Sequence, residues 1–168
     1  MDTLMKQAVW GQFGAAIDAL ENAMAACPEA VWGTGPTPQA FWYLAYHTLF
    51  WLDFYLSGTP EGFAPPAPFT LGELDPAGVY PDRIYTKAEV QKYLEHGRRK
   101  CRAMIAAMTE EQAAKPSGFH RLELSHAEAL LYNLRHVQHH SAQLNLILRQ
   151  QTDSATRWVS RAKNGLDS

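Results

Sequence analysis

The histidines are the residues whose type and spacing point most directly to chemistry in this sequence. His136 and His140 lie four residues apart in a stretch with helical periodicity, so they share one edge of the helix, one turn apart. This spacing lets two imidazoles bind a single metal ion. His126 lies too far along the same stretch to share that ion, and His139 points away from the predicted core. The pattern therefore predicts a metal-binding pair.

His47 is a candidate third ligand from a different part of the chain. Its helical neighbours are mostly aromatic, among them Tyr43, Trp51 and Phe54, so we expect its imidazole to be buried. A buried imidazole without a hydrogen-bond partner costs about 1–3 kcal/mol, and a metal shared with the histidine pair would remove that cost. The spacing equally allows a core histidine that is satisfied by a hydrogen bond. The three aromatic residues belong to the core first and are also candidates for the wall of a substrate pocket.

Other catalytic patterns are incomplete or missing. Val137 follows His136 where a zinc protease of the HExxH type needs glutamate. The sequence has no dinucleotide-binding, P-loop or nucleophile-elbow motif, and spacing places no carboxylate near the histidines. Cys101 lies in the basic run 98–102, whose charges could lower the pKa of a thiol or hold an anionic thiol cofactor. We expect instead a structural cysteine on a helix with a solvated basic face.

The elements that must position these residues are helices. Helical patterns are predicted at residues 3–26, 37–56, 86–108, 109–115 and 125–151. The second pattern opens at Thr37-Pro38, a capping residue followed by proline, at the end of a linker (27–38) with turn chemistry. Capping boxes at Thr86 and Ser125 open two of the later helices. With no strand pattern in the sequence, we predict an all-α four-helix bundle.

A long proline-rich segment (58–85) separates the second predicted helix from the third. Its prolines exclude regular helix, so it either crosses the bundle from end to end or covers a site as a lid, and the two roles are compatible. The second helix is aromatic nearly all round, and we expect it to be buried by the core together with a loop, or by a subunit interface. The bundle domain is predicted to span 1–152, and 153–168 to form a tail or short helix.

The composition excludes several classes of protein. The chain has 168 residues, 46% hydrophobic and 19% charged, with a formal net charge of −2. These values suit one folded domain without a field that attracts nucleic acid. The cysteines are too few for a disulfide framework, the N-terminal region does not look like a secretion signal, and the apolar run 40–52 is too short to span a membrane. We expect a cytoplasmic protein that binds neither nucleic acid nor membrane.

The histidine-bearing segments resemble those of the DinB/YfiT-like superfamily of metalloenzymes. That family carries a histidine in its second helix and an H-x3-H pair in its last core helix, commonly followed by a Gly-Gln-Leu element. Here His47 lies in AYHTLFWLDFYL, and Gln143-Leu144 follow the pair, with Ala142 in place of the usual glycine. The resemblance covers the helix order and most of the chain to about Gln151.

The resemblance implies an up-down-down-up bundle with a divalent metal ion, zinc or nickel, held by His47, His136 and His140. Characterised relatives include thiol-dependent S-transferases, so a low-molecular-weight thiol and a small electrophile are the implied cofactor and substrate. Because such a centre can activate a thiol or water, the first hypothesis is a thiol S-transferase and the second a hydrolase. The alternative is a non-catalytic, metal-stabilised bundle that binds a small apolar ligand or a partner. We expect a homodimer.

Overall fold

The computed structural model describes residues 1–33, 35, 37 and 39–166. Helices and connecting loops make up this part of the chain, with an isolated β-bridge between Pro116 and Ser125. The helices are α1 (Thr3–Ala26), α2 (Glu29–Trp32), α3 (Phe41–Tyr55), α4 (Lys87–Ala107), α5 (Glu110–Ala114) and α6 (His126–Thr152), with a 3₁₀ turn at Leu71–Leu74. The all-α prediction is therefore confirmed.

The capping boxes begin α4 and α6 where the sequence predicted them. Thr86 and Ser125 each accept a hydrogen bond from the backbone N–H three residues later, and Glu89 and Glu128 accept one from the cap N–H in return. Each box satisfies two backbone donors that the first turn of a helix leaves without partners.

The second long helix begins later than predicted. α3 starts at Phe41, with Ala40 in an extended conformation at its cap, whereas the prediction placed the start at Thr37-Pro38. The Thr37 carbonyl accepts a hydrogen bond from the Ala40 N–H at 3.0 Å, so this stretch closes a separate turn before the helix begins. Pro38 itself lies outside the described residues.

The linker before α3 contains a helical turn that the sequence did not reveal. α2 carries Trp32, which is buried and donates its indole N–H to the Tyr85 carbonyl at 2.9 Å. The prediction of turn chemistry alone was wrong here, because burial of a large side chain stabilises this turn and local propensity does not register that burial.

The four long helices form a bundle in which α1 and α3 each pack against both α4 and α6. Near the start of α3, the ring of Trp42 lies 6.0 Å from that of Tyr85. Near its end, Asp53 Oδ1 lies 2.5 Å from Lys100 Nζ. The contacts advance along both helices together, so α3 and α4 are parallel.

Two other packed pairs, α1 with α4 and α3 with α6, run antiparallel. Lys6, near the start of α1, donates to the Ala106 carbonyl at the end of α4 at 2.7 Å. Asn133, in the early part of α6, donates to the Leu52 carbonyl near the end of α3 at 3.0 Å. The helix directions are therefore up, down, down and up, as in the predicted four-helix bundle.

Because α3 and α4 are parallel, the chain between them must return along the bundle, and the crossover (residues 56–86) does this. Phe69 in its middle is buried and stacks on Tyr93 with 4.4 Å between ring centroids. Phe63 packs edge-on against Phe50 of α3 at 5.5 Å. The crossover thus joins the core in burying Phe50 of α3, which is one of the two predicted ways of burying this helix.

Buried carboxylates hold the basic residues of α4. Asp18 and Asp53, each 1% exposed, form ion pairs with Arg98 and Lys100. The prediction of a solvated basic face is wrong for these two cations, because an unpaired anion in the interior would be costly. Cys101, directly after Lys100, is buried, and burial raises the pKa of its thiol, which fits the predicted structural cysteine.

The segment after α6 folds back along α1. Its described part (153–166) contains no helix. The Lys163 N–H donates to Asp18 at 2.7 Å, and the Trp10 indole donates to the Asn164 carbonyl at 2.9 Å. The predicted end of the bundle domain stays a prediction. No described helix combines the length and the apolar character that crossing a membrane requires.

Candidate metal centre

Three histidines meet between α3 and α6. The ring centroids lie 5.6 Å apart for His47 and His136, 5.0 Å for His47 and His140, and 4.5 Å for His136 and His140. Each ring can offer one nitrogen such that all three nitrogens lie within 4.8 Å of one another. The structure therefore brings the three predicted ligands together in an arrangement suited to one ion.

The register between α3 and α6 produces this meeting. The two helices run antiparallel, with His47 in the middle of α3 and the histidine pair one turn apart on α6. Asn133, one turn before the pair, is fully buried and donates to the Leu52 carbonyl of α3. Because a buried amide must keep such a bond, this contact opposes any sliding of one helix along the other.

Two of the three rings are oriented by acceptors at Nδ1. Glu73 Oε2 lies 2.6 Å from His47 Nδ1, and Gln143 Oε1 lies 2.6 Å from His140 Nδ1. An acceptor at Nδ1 assigns the proton to that nitrogen and leaves the lone pair on Nε2. Gln143 belongs to the Gln143-Leu144 element identified in the sequence, whereas no sequence motif pointed to Glu73.

The third ring has no such acceptor. His136 Nδ1 is buried and has no hydrogen-bond partner among the described residues. Burial, followed by the neighbouring imidazoles, lowers the pKa of His136 to about 3, and burial lowers that of His140 to about 4. Both rings are therefore neutral at pH 7, as metal binding requires. An orphaned nitrogen in a set of three imidazole donors fits a divalent ion such as zinc or nickel.

Glu73 is the residue of this site that sequence reasoning missed. It lies in the 3₁₀ turn of the crossover, its side chain is 4% exposed, and it also accepts a hydrogen bond from the Trp51 indole at 3.1 Å. Burial alone would raise the pKa of Glu73, but hydrogen bonds from His47, Tyr43 and Trp51 outweigh burial and lower it. The carboxylate is therefore charged. The sequence signalled only that this segment could cover a site.

A cavity of about 680 Å³ lies between α3, the crossover and the loop before α6. None of the three clustered histidines lines it, but Glu73 and Trp51, which contact His47, do. Two of the three predicted pocket residues, Trp51 and Phe54, lie on its wall together with Tyr55. Tyr43 is not among the lining residues. Its ring packs instead against Tyr80 of the crossover, with 4.9 Å between centroids.

The remaining histidines lie outside the cluster. His139 is exposed on α6, as predicted, and His126 lies at the first turn of the same helix. His96 is on α4, and its Nε2 lies 3.4 Å from Asp53 of α3. It therefore lies where α3 packs against α4, whereas the cluster lies where α3 packs against α6. His120 is exposed and lines the cavity, a location that its place in a loop did not indicate.

Comparison with known protein families agrees with the resemblance of the histidine-bearing segments. The family model for the DinB superfamily matches residues 12–144, a range that includes all three clustered histidines. Searches of curated proteins and of solved structures gave no match.

Proposed function

Because this chain belongs to the DinB superfamily, we propose that it is a metal-dependent enzyme whose divalent ion is bound by His47, His136 and His140. The observation that carries the proposal is the convergence of three imidazole nitrogens within 4.8 Å. Three protein ligands leave a position for water or substrate, as in catalytic rather than structural zinc sites. Zinc and nickel are the proposed ions, since imidazole suits both.

The bound ion would supply Lewis acidity and a lowered pKa for a bound thiol or water. The chain's own residues do the rest of the work. Glu73 holds His47 in the tautomer that presents Nε2 to the ion, and Trp51 and Phe54 form an apolar wall that excludes water beside it. We propose transfer of a low-molecular-weight thiol to a small electrophile as the first activity and hydrolysis as the second.

The cavity supports a second candidate function. Its walls are aromatic, and the charged carboxylate nearest the histidines, Glu73, is already hydrogen-bonded to His47 and Trp51. A non-catalytic, metal-stabilised bundle that binds a small apolar ligand or a partner would not need a carboxylate that is free to act as a general base. In both proposals the protein is a cytoplasmic homodimer.

Metal content tests the ligand set. Untagged protein analysed for metals should contain about one divalent ion per chain, and His47→Ala, His136→Ala and His140→Ala should each lose it while circular dichroism shows intact helices. His139→Ala is the matched control, because this exposed ring lies beside the cluster without belonging to it, and it should retain the ion. Full retention in the three ligand variants, or no uptake of added zinc or nickel by the wild type, would refute the proposal.

Turnover separates the two candidate functions. Zinc- and nickel-loaded protein is incubated with glutathione, bacillithiol or mycothiol and an activated aryl halide, and separately with activated esters. Loss of thiol or ester that requires the metal and disappears in His47→Ala supports an enzyme. A protein that holds its ion and converts none of these substrates favours the binding protein.

A further inference from the structure

The cavity beside the histidines is close enough to the proposed metal centre to hold its substrate. Trp51 and Tyr55 both line the cavity, and their rings lie 6.2 Å from that of His47 and 6.4 Å from that of His136, respectively. Glu73, which orients His47, lies on the same wall. A molecule in the cavity is therefore separated from His47 and His136 by the side chains of Trp51, Tyr55 and Glu73.

The walls of the cavity favour a flat apolar ring. Trp51 and Phe54 meet edge to face, with ring planes at 86°, and Tyr55 and Phe119 meet at 76°. A wall built from rings at steep angles to one another suits a further aromatic group, which gains from offset or edge-on contacts. The volume of about 680 Å³ lies in the range of small-molecule sites.

The charged residues on the wall differ in what they are free to bind. Glu73, Asp75, His120 and Arg121 all line the cavity. His47 and Trp51 both hydrogen-bond to Oε2 of Glu73, whose Oε1 is buried without a partner among the described residues. Asp75 Oδ1 accepts the N–H of Ala77 at 2.8 Å. Arg121 has no hydrogen bond or ion pair with any residue that the structure describes. A free guanidinium at the edge of an apolar wall is a binding group for a carboxylate.

We propose that this cavity binds an aromatic organic acid, whose ring rests against Trp51 and Phe54 and whose carboxylate pairs with Arg121. The inference rests on the proposed function, since it names the substrate class of the same site. It also makes Arg121 the residue that determines the preference for acids over neutral molecules of the same shape.

The test compares 3-phenylpropionate with its methyl ester, which has the same ring without the charge. Dissociation constants are measured by calorimetry or ligand-observed NMR, on zinc-loaded and on chelator-treated protein. The acid should bind about fivefold more tightly than the ester in both samples, as a partly exposed ion pair allows. Arg121→Ala should weaken binding of the acid by that factor and leave binding of the ester unchanged. Arg157→Ala, an exposed arginine outside the cavity, should change neither.

A second variant tests the cavity itself. Leu74 lines the cavity at 38% exposure, so Leu74→Trp should place a larger ring at the cavity wall and weaken binding of both probes. Equal binding of acid and ester, an equal effect of Arg121→Ala on both, or an acid preference that disappears on chelation would overturn the inference, the last because the carboxylate would then bind the metal.

Zinc uptake measured on the same samples separates this inference from the proposed function. Normal zinc uptake without acid binding overturns the inference alone. Acid binding that depends on Arg121 in a protein that takes up no metal supports the cavity assignment and overturns the proposed function.

Discussion

Replacing Glu73 should weaken metal binding although Glu73 is not one of the three ligands. Its carboxylate lies 2.6 Å from His47 Nδ1 and its side chain is 4% exposed, so little water competes for this contact. Acceptors behind metal-bound histidines are worth about 10–100-fold in metal affinity. We expect a loss of about tenfold for Glu73→Gln, because the amide oxygen can still accept the hydrogen bond, and of nearly 100-fold for Glu73→Ala.

These factors correspond to about 1.4 and 2.7 kcal/mol of binding free energy. They arise because the charge makes His47 Nε2 a better donor and because the hydrogen bond holds the ring in one orientation. Glu73→Ala removes both effects, whereas Glu73→Gln removes only the charge. The metal affinities of the two variants should therefore differ from each other as well as from that of the wild type.

Competition with a chromogenic chelator at neutral pH measures these affinities for zinc. Asp75→Asn is the matched control, since Asp75 is an exposed carboxylate on the same segment and its Oδ1 accepts the backbone N–H of Ala77. It should leave zinc affinity within about twofold of the wild type, well below the expected effect of Glu73. Unchanged affinity in both Glu73 variants, or an equal loss in Asp75→Asn, would refute the role of the bond to His47.

The two cysteines should resist alkylation in the folded protein, because both are buried and burial raises the pKa of Cys27 to about 11 and that of Cys101 further. Thiol titration before and after adding urea should detect them only after unfolding. Rapid labelling of Cys101 in the folded protein would contradict this. Metal-free protein should lose stability as the pH falls from 6.5 towards 4, because burial holds the pKa of His136 near 3 and that of His140 near 4, so the unfolded chain binds protons that the folded chain does not. Urea unfolding at about pH 7 and about pH 5 measures this loss in the free energy of unfolding. His136→Asn should make the loss smaller by about 1–2 kcal/mol. The same loss in His136→Asn as in the wild type would contradict the role given to His136.

The sequence by itself determined the helices and the histidine pair. Capping boxes at Thr86 and Ser125 and the apolar periodicity act over three or four residues, so the beginnings of α4 and α6 could be predicted from near neighbours along the chain. The spacing of His136 and His140 is of the same kind, because two residues four apart on a helix lie on one edge wherever the helix packs. The aromatic neighbours of His47 made it a candidate third ligand, and the resemblance of its segment supported that assignment.

Only the tertiary structure decided what surrounds those histidines. Glu73 reaches His47 because the crossover returns along α3, and Arg121 comes to the same cavity because the loop before α6 packs beside it. No periodicity links residues that lie so far apart in the chain, and the helix register that sets their contacts depends on burying the aromatic side chains of α3 against the core and the crossover. The same reason explains α2, where the burial of Trp32 stabilises a turn that local propensity did not predict as helix.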